Sequence, residues 1–289
     1  AGVMNELFVN IKVDREERPD LDAIYQSALA IMGEQGGWPL TMFLTPDGEP
    51  FWGGTYFPPT PRFGRPAFPD ILKGIAEAYR TQNDKVTENA RALSQALAEL
   101  SRPKASGGLT MELVDTTAKL ILRMIDPIDG GLGGAPKFPQ ARIYELLWRA
   151  YGRTGSPLFA NAVTLTLDRI CQGGIYDHLG GGIARYSTDA EWLVPHFEKM
   201  LYDNAMFIEL LSEVWRQTGS ELYSLRVHEC VAWVLGDMAV EGTGAFASAF
   251  DADSEGEEGR YYVWSEDEVD SLLGADSPVF KKAYDVTPE

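Results

Sequence analysis

The chain has almost no cysteine and little histidine. Its two cysteines, Cys171 and Cys230, lie far apart inside apolar helical patterns. This excludes a disulfide-stapled scaffold and points to reduced thiols in a core. Basic residues are in deficit, 25 Lys and Arg against 43 Asp and Glu, for a formal net charge of −18. Such a surface repels phosphate backbones and anionic bilayers, so neither nucleic acid nor a membrane is expected as a partner. No uninterrupted apolar run approaches the roughly 20 residues that span a bilayer, and the first six residues lack the basic-then-apolar build of a signal peptide. The chain therefore reads as cytoplasmic. It opens on Ala-Gly-Val without an initiator Met and closes on Pro288-Glu289 without a capping signal, so truncation at both ends is expected. No pair of metal-ligand motifs with zinc-like spacing occurs, and no metal or cofactor is expected. What is present suffices for a folded protein: 45% hydrophobic and 11% aromatic residues over 289 positions can bury the cores of two domains.

Leu7, Val9, Ile11 and Val13 alternate with polar residues, the period of a strand buried on one face. Pro19 and Asp20 open a segment in which Leu21, Ile24, Tyr25, Ala28, Ile31 and Met32 recur at helical spacing, with Asp20 placed to cap it. Two strand-like runs, 41–45 and 51–57, flank Pro46-Asp47-Gly48-Glu49 and predict an antiparallel hairpin. A proline-rich connector, 58–69, precedes a helical region that Asp70 would cap and that continues to Leu100. The order β-α-β-β-α is that of a thioredoxin fold without its first strand and helix. Pro39, after Trp38, sits where such folds carry a cis-proline loop. The strand missing from this order would lie between 7–13 and 41–45, so exposed edges or nonstandard pairing are expected.

Residues 101–108 read as a linker, making 1–100 one domain and 109–289 another. In the second, 110–125, 141–154, 157–171, 197–218 and 221–240 are helix candidates separated by glycine-rich turns, which fits αα-hairpins. A small β-hairpin is expected between 245–250 and 260–264.

The runs Val13-Asp14-Arg15-Glu16-Glu17-Arg18-Pro19-Asp20, Gly36-Gly37-Trp38-Pro39 and Gly53-Gly54-Thr55-Tyr56-Phe57-Pro58-Pro59 resemble the thioredoxin-domain family that includes the spermatogenesis-associated thioredoxin-like proteins. Gly133-Gly134-Ala135-Pro136-Lys137-Phe138-Pro139, the segment 173–186, Pro195-His196-Phe197-Glu198-Lys199-Met200-Leu201-Tyr202-Asp203-Asn204 and Asp251-Ala252-Asp253-Ser254-Glu255-Gly256 extend the match over nearly the whole chain. The resemblance implies an incomplete α/β thioredoxin-like domain followed by part of a six-hairpin, glycosidase-like α/α barrel. It also implies a Cys-His-Trp-Cys-like segment upstream of the 7–13 strand, and no residue here matches it.

In barrels of that type, loops and helix ends on one face line a pocket where carboxylates and histidine do acid/base work on a sugar. The resemblance thus makes Asp177, His178, His196, Glu198 and Asp203 the catalytic candidates. Arg185, Tyr186, Tyr202, Asp251 and Asp253 are possible substrate contacts, and Trp192 a platform for a sugar ring. Helical spacing would place Glu198 and Tyr202 on one face. The plainer reading is that His196 and Glu198 cap a helix start while the glycines shape a tight turn. Asp251-x-Asp253-x-Glu255-Gly256 opens like a calcium loop, but Tyr262 stands where the closing Glu belongs; a barrel-mouth loop or a solvated hairpin are the alternatives. Trp38 and Pro39 could offer a binding edge for a peptide or disulfide, or simply cover the core. The function this supports is carbohydrate binding or a hydrolase- or epimerase-like activity. The alternative is a thiol redox or chaperone-like protein acting on protein thiols, its redox cysteines lying outside this chain and the barrel serving as scaffold.

Overall fold

A computed structural model describes residues 1–62, 64–102 and 107–287. Half of the expected linker, residues 103–106, and Pro288-Glu289 therefore lie outside the described residues. The chain divides into two compact units, Ala1–Gly107 and Gly108–Glu289.

The first unit opens with α1 (Gly2–Leu7) and α2 (Pro19–Ile31), then β1 (Thr41–Leu44) and β2 (Pro50–Gly54), then α3 (Phe68–Thr81) and α4 (Asn83–Leu100). The expected hairpin forms, β1 pairing antiparallel with β2 and Thr41 opposite Gly54. Phe43 and Phe51 from the hairpin meet Leu72, Val86 and Ala90 from α3 and α4 in its core. The Trp38–Pro39 peptide is cis.

The expected 7–13 strand does not form. Leu7 ends α1, and Val9 and Ile11 are 92% and 76% exposed. Alternation marks a strand only where a ladder is offered, and β1–β2 is a two-stranded sheet that does not pair with this segment. Asp20 and Asp70 lie in the first turns of their helices but make no capping hydrogen bond; Arg18 and Ala67 hold the cap positions. Asp20 instead pairs with Arg18 at 2.8 Å, which holds its carboxyl down at about 2.

In the second unit α5 (Met111–Leu122), α6 (Ala141–Thr154), α7 (Pro157–Gln172), α8 (Leu201–Thr218) and α9 (Glu221–Gly236) form αα-hairpins in which α6 packs on α7 and α8 on α9. α6 also meets α8, and α7 meets α9, giving two helical layers. Tyr144, Leu147, Val163, Leu167, Phe207, Leu211 and Cys230 fill the space between them. Two-residue strands stitch the loops: β3 (Tyr186–Ser187) to β4 (Pro195–His196), and β5 (Lys199–Met200) to β8 (Ala249–Phe250). β6 (Ala239–Val240) pairs with β7 (Ala245–Phe246), and β9 (Asp253–Ser254) with β10 (Glu257–Glu258). The single hairpin expected between 245–250 and 260–264 is thus replaced by three shorter pairings. Helices α10 (Glu266–Leu273) and α11 (Ser277–Tyr284) follow, α10 opening on a Ser265–Glu268 capping box.

Two loops are built alike. Asp126 and Asp177 each open a turn in which the aspartate carbonyl accepts from Gly130 or Gly181, and Oδ1 accepts from the amides two and three residues on. A lysine then closes each turn: Lys137 Nζ reaches Asp126 and the Gly130 carbonyl, and Lys199 Nζ reaches Asp177 and the Gly181 carbonyl. A tryptophan roofs each lysine, Trp192 at 5.5 Å and Trp233 at 4.8 Å. Gly131 and Gly182 must be glycine: both have positive φ, and a Cβ would come within 2.5 Å of Trp192 and 2.8 Å of Trp233.

Candidate functional site

This repeated staple sorts the candidate residues. Asp177 sits 2.7 Å from the buried Lys199 ammonium and is spent on it and on two amides. Burial pushes its carboxyl up, but Lys199 and the Gly180 and Leu179 amides outweigh that and hold it below the usual range. It acts as a structural anion, matched by Asp126 in the other turn. Trp192 is fully buried with its indole N–H donated to Asp129 O at 2.9 Å, so it offers no face to a sugar. Trp192→Phe should cost about 1–2 kcal/mol, mainly the lost hydrogen bond, with ligand binding unchanged; chemical unfolding and titration check this. His178 lies in another cluster, Nε2 against Gly173 O at 3.0 Å and Nδ1 against Arg226 Nη2 at 3.0 Å. Both nitrogens are occupied there, and no contact joins it to His196.

The remaining candidates converge. Residues 197–200 are not the start of α8, as helical spacing suggested; β4 and β5 commit the backbone on either side of Phe197 and Glu198 to ladders, and the helix begins at Leu201. Glu198 and Tyr202 therefore share no helical face, and Tyr202 is 48% exposed on the first turn of α8. The β3–β4 pairing sets Tyr186 opposite His196, and their rings stack at 4.7 Å and 16°. Phe138 packs on Tyr186 as well, 4.8 Å between ring centres. Arg185 donates from Nη1 to Glu198 Oε2 at 2.8 Å, and its amide donates to Glu198 O. The same Oε2 stands 3.5 Å from His196 Nε2, while His196 Nδ1 lies 2.6 Å from Glu258 Oε1. Asp203, half-buried in the first turn of α8, has its carboxyl pushed up to about 6 by burial, with Arg185 opposing the rise.

Arg185, Tyr186, His196, Glu198 and Asp203 thus form one cluster, and Asp177, His178 and Trp192 stand outside it. Asp251 and Asp253 are exposed, and Asp251 Oδ1 accepts from the Asp253 amide. Glu255 and Gly256 both take positive φ between the paired residues Ser254 and Glu257, the two-residue turn of a tight hairpin. Among the described residues no three His, Cys, Asp or Glu side chains are grouped to hold a metal ion. Glu258, which sequence reasoning missed, enters from the far strand of that hairpin. Trp38 and Pro39 belong to the first unit, where Trp38 is 54% exposed, donates to Asp22 and carries the Arg15 guanidinium at 4.1 Å over its ring.

Cys171 and Cys230 are both buried, and burial raises both thiols, the reverse of what a nucleophilic thiolate needs.

An α/β unit with a cis-proline before its hairpin, followed by stapled helical hairpins that carry a His/carboxylate cluster, defines a two-unit protein of the thioredoxin-like plus α/α class. Residues 1–98 match the family model described as Thioredox_DsbH, protein of unknown function, DUF255. Over 288 aligned residues the chain is 38% identical to spermatogenesis-associated protein 20 of Homo sapiens, covering 94% of this chain and 36% of that protein. The chain belongs to the thioredoxin-domain family of which that protein is a member. It spans little more than a third of the length of its curated mammalian relatives. Among solved structures, it is similar to a D-mannose isomerase, with a TM-score of 0.39 and 14% identity over 61% of this chain and 44% of that one. It is also similar to an unsaturated glucuronyl hydrolase specific for heparin, with a TM-score of 0.42 and 11% identity over 94% of this chain and 81% of that one. No helix among the described residues is long and apolar enough to cross a membrane.

Proposed function

We propose that the cluster around His196 is an acid/base site for a small polyhydroxylated substrate of the sugar class, with an epimerase- or isomerase-like proton transfer as its chemistry. The observation that carries this reading is His196 itself. Its ring lies flat on Tyr186 between the carboxylates of Glu258 and Glu198, so positive charge gained on accepting a proton meets two counter-charges already in place. Asp203, with its carboxyl at about 6, keeps its proton far above the range of an ordinary aspartate and serves as the partner acid. Arg185 orients Glu198 and offers further donors to substrate hydroxyls. Tyr202, exposed on the first turn of α8, is the aromatic we assign to a ring face in place of the buried Trp192.

A thiol redox role draws on the family match of residues 1–98, but neither cysteine of this chain is placed to perform it.

The reading is tested by titrating the chain with a panel of monosaccharides while following tryptophan fluorescence. A saturable change with at least one sugar, weakened tenfold or more in His196→Ala, is the expected result. Absence of any saturable change across the panel overturns it.

A further inference from the structure

The two carboxylates that flank His196 come from different places. Glu198 is two residues along the same segment and is already engaged by Arg185. Glu258 arrives from 62 residues away, on β10, and its delivery is built into the backbone. The β9–β10 turn is closed by two positive-φ residues, and the base of the hairpin is tied by Gly259 N donating to Ala252 O at 2.9 Å. Gly259 has φ +77, and a Cβ there would come 2.5 Å from the ring of Phe197, so this backbone rests directly on the residue next to His196. Tyr262 stacks on the same ring at 5.5 Å and 10°. The hairpin is thus seated on Phe197, and Glu258 is set against His196 as a consequence.

A carboxylate can only accept, so the 2.6 Å contact requires Nδ1–H of His196 to donate to Glu258 Oε1. Nε2 then faces Glu198 Oε2 at 3.5 Å, too far for a hydrogen bond, and Glu198 is held there by Arg185. The groups that face the ring are Tyr186 from β3, Glu258 from β10, and Glu198 with Arg185 behind it; Asp203 of α8 neighbours Arg185.

We propose that Glu258 is a positioning residue: it fixes His196 as the Nδ1–H tautomer and leaves Nε2 as the nitrogen that takes the substrate's proton. This rests on the acid/base reading of the site. In the step, the substrate's C–H or O–H bond breaks, its electron pair stays on the substrate, and the proton forms the Nε2–H bond. The ring becomes an imidazolium between the carboxylates of Glu258 and Glu198. Its role is the one a carboxylate plays behind a catalytic histidine elsewhere, orienting the ring and stabilising its charged form.

The test reads the tautomer directly and needs no substrate. The chain is labelled with 15N-histidine, and its three imidazoles, His178, His196 and His228, are assigned by single substitutions and observed at a pH where the rings are neutral. His196 is expected almost wholly as Nδ1–H in the parent chain. In Glu258→Gln and Glu258→Ala it should move mostly to the Nε2–H form that free imidazole favours, and Glu258→Asp should restore part of the original signal. Unchanged His178 and His228 signals show that each variant is folded. An Nε2–H form in the parent chain, or an unaltered His196 tautomer in both Glu258→Gln and Glu258→Ala, overturns the assignment. A failed sugar titration alongside a confirmed tautomer shift would sink the sugar reading and leave the Glu258–His196 relation standing.

Discussion

Asp177→Ala should cost the chain about 3–5 kcal/mol of folding stability, because it strands the ammonium of Lys199, whose side chain is only 4% exposed, without its counter-ion. The change also frees the Leu179 and Gly180 amides. Burial already lowers the pKa of Lys199 and Asp177 offsets part of that, so removing the carboxylate drives the lysine toward its neutral form. The folded-state pKa of Asp177 lies below its unfolded value. Its contribution is therefore present above the ordinary carboxylate range and lost as pH falls through the folded value. Urea unfolding followed by fluorescence measures the cost. The double change Asp177→Asn with Lys199→Met should recover most of it, since neither charge is then left alone. A loss under about 1 kcal/mol for Asp177→Ala would mean the staple does not hold the turn.

Asp203→Asn should act in the opposite direction. A carboxyl raised from its ordinary value to about 6 prefers its protonated form in the folded chain, so folding becomes less favourable as pH rises from about 4 to about 6 and stays so above. Asparagine has no such cost. The variant is expected to be about 2 kcal/mol more stable than the parent at pH 7.5, the difference vanishing near pH 4. Stability curves at several pH values give the answer, and a gain that is independent of pH would contradict the assigned carboxyl. A stabilising substitution inside a cluster that otherwise holds together by ion pairs is what a site tuned for proton transfer predicts.

Much of the fold is legible in the sequence where periodicity is long. The span 141–154 shows Tyr144, Leu147 and Trp148 on one face and ends at Gly155, which takes the left-handed conformation at the helix end. Pro46-Asp47-Gly48 marks the β1–β2 turn for the same reason of local chemistry. Where elements are two residues long, period carries no signal. The stretch 197–200 passes for the start of a helix because the pairing partners of β4 and β5, 186–187 and 249–250, lie elsewhere in the chain. The 7–13 alternation misleads for the converse reason, a strand pattern with no ladder to join.

The site is half legible. His196, Glu198, Arg185, Tyr186 and Asp203 lie close in sequence and are together in space. Glu258 is out of sight at 62 residues' distance, and Trp192, a plausible sugar platform by type, is a roof over Lys137. One signal was available for Asp177: the recurrence of Asp-x-x-x-Gly-Gly at 126–131 and, with one more glycine, at 177–182, each followed by a buried lysine. Two copies of one turn are better explained by architecture than by catalysis. What is not repeated, the histidine between two carboxylates, is where the proposed chemistry is placed.

The most direct measurement of that claim is solvent-deuterium incorporation. The chain is incubated with aldoses and ketoses in D2O, and 1H NMR follows loss of the signal from the proton on the carbon beside the carbonyl. The account predicts exchange with at least one sugar, falling about 100-fold or more in His196→Ala while the folded Trp192→Phe chain retains it. Equal exchange in the parent chain and His196→Ala, or none with any sugar, would contradict it.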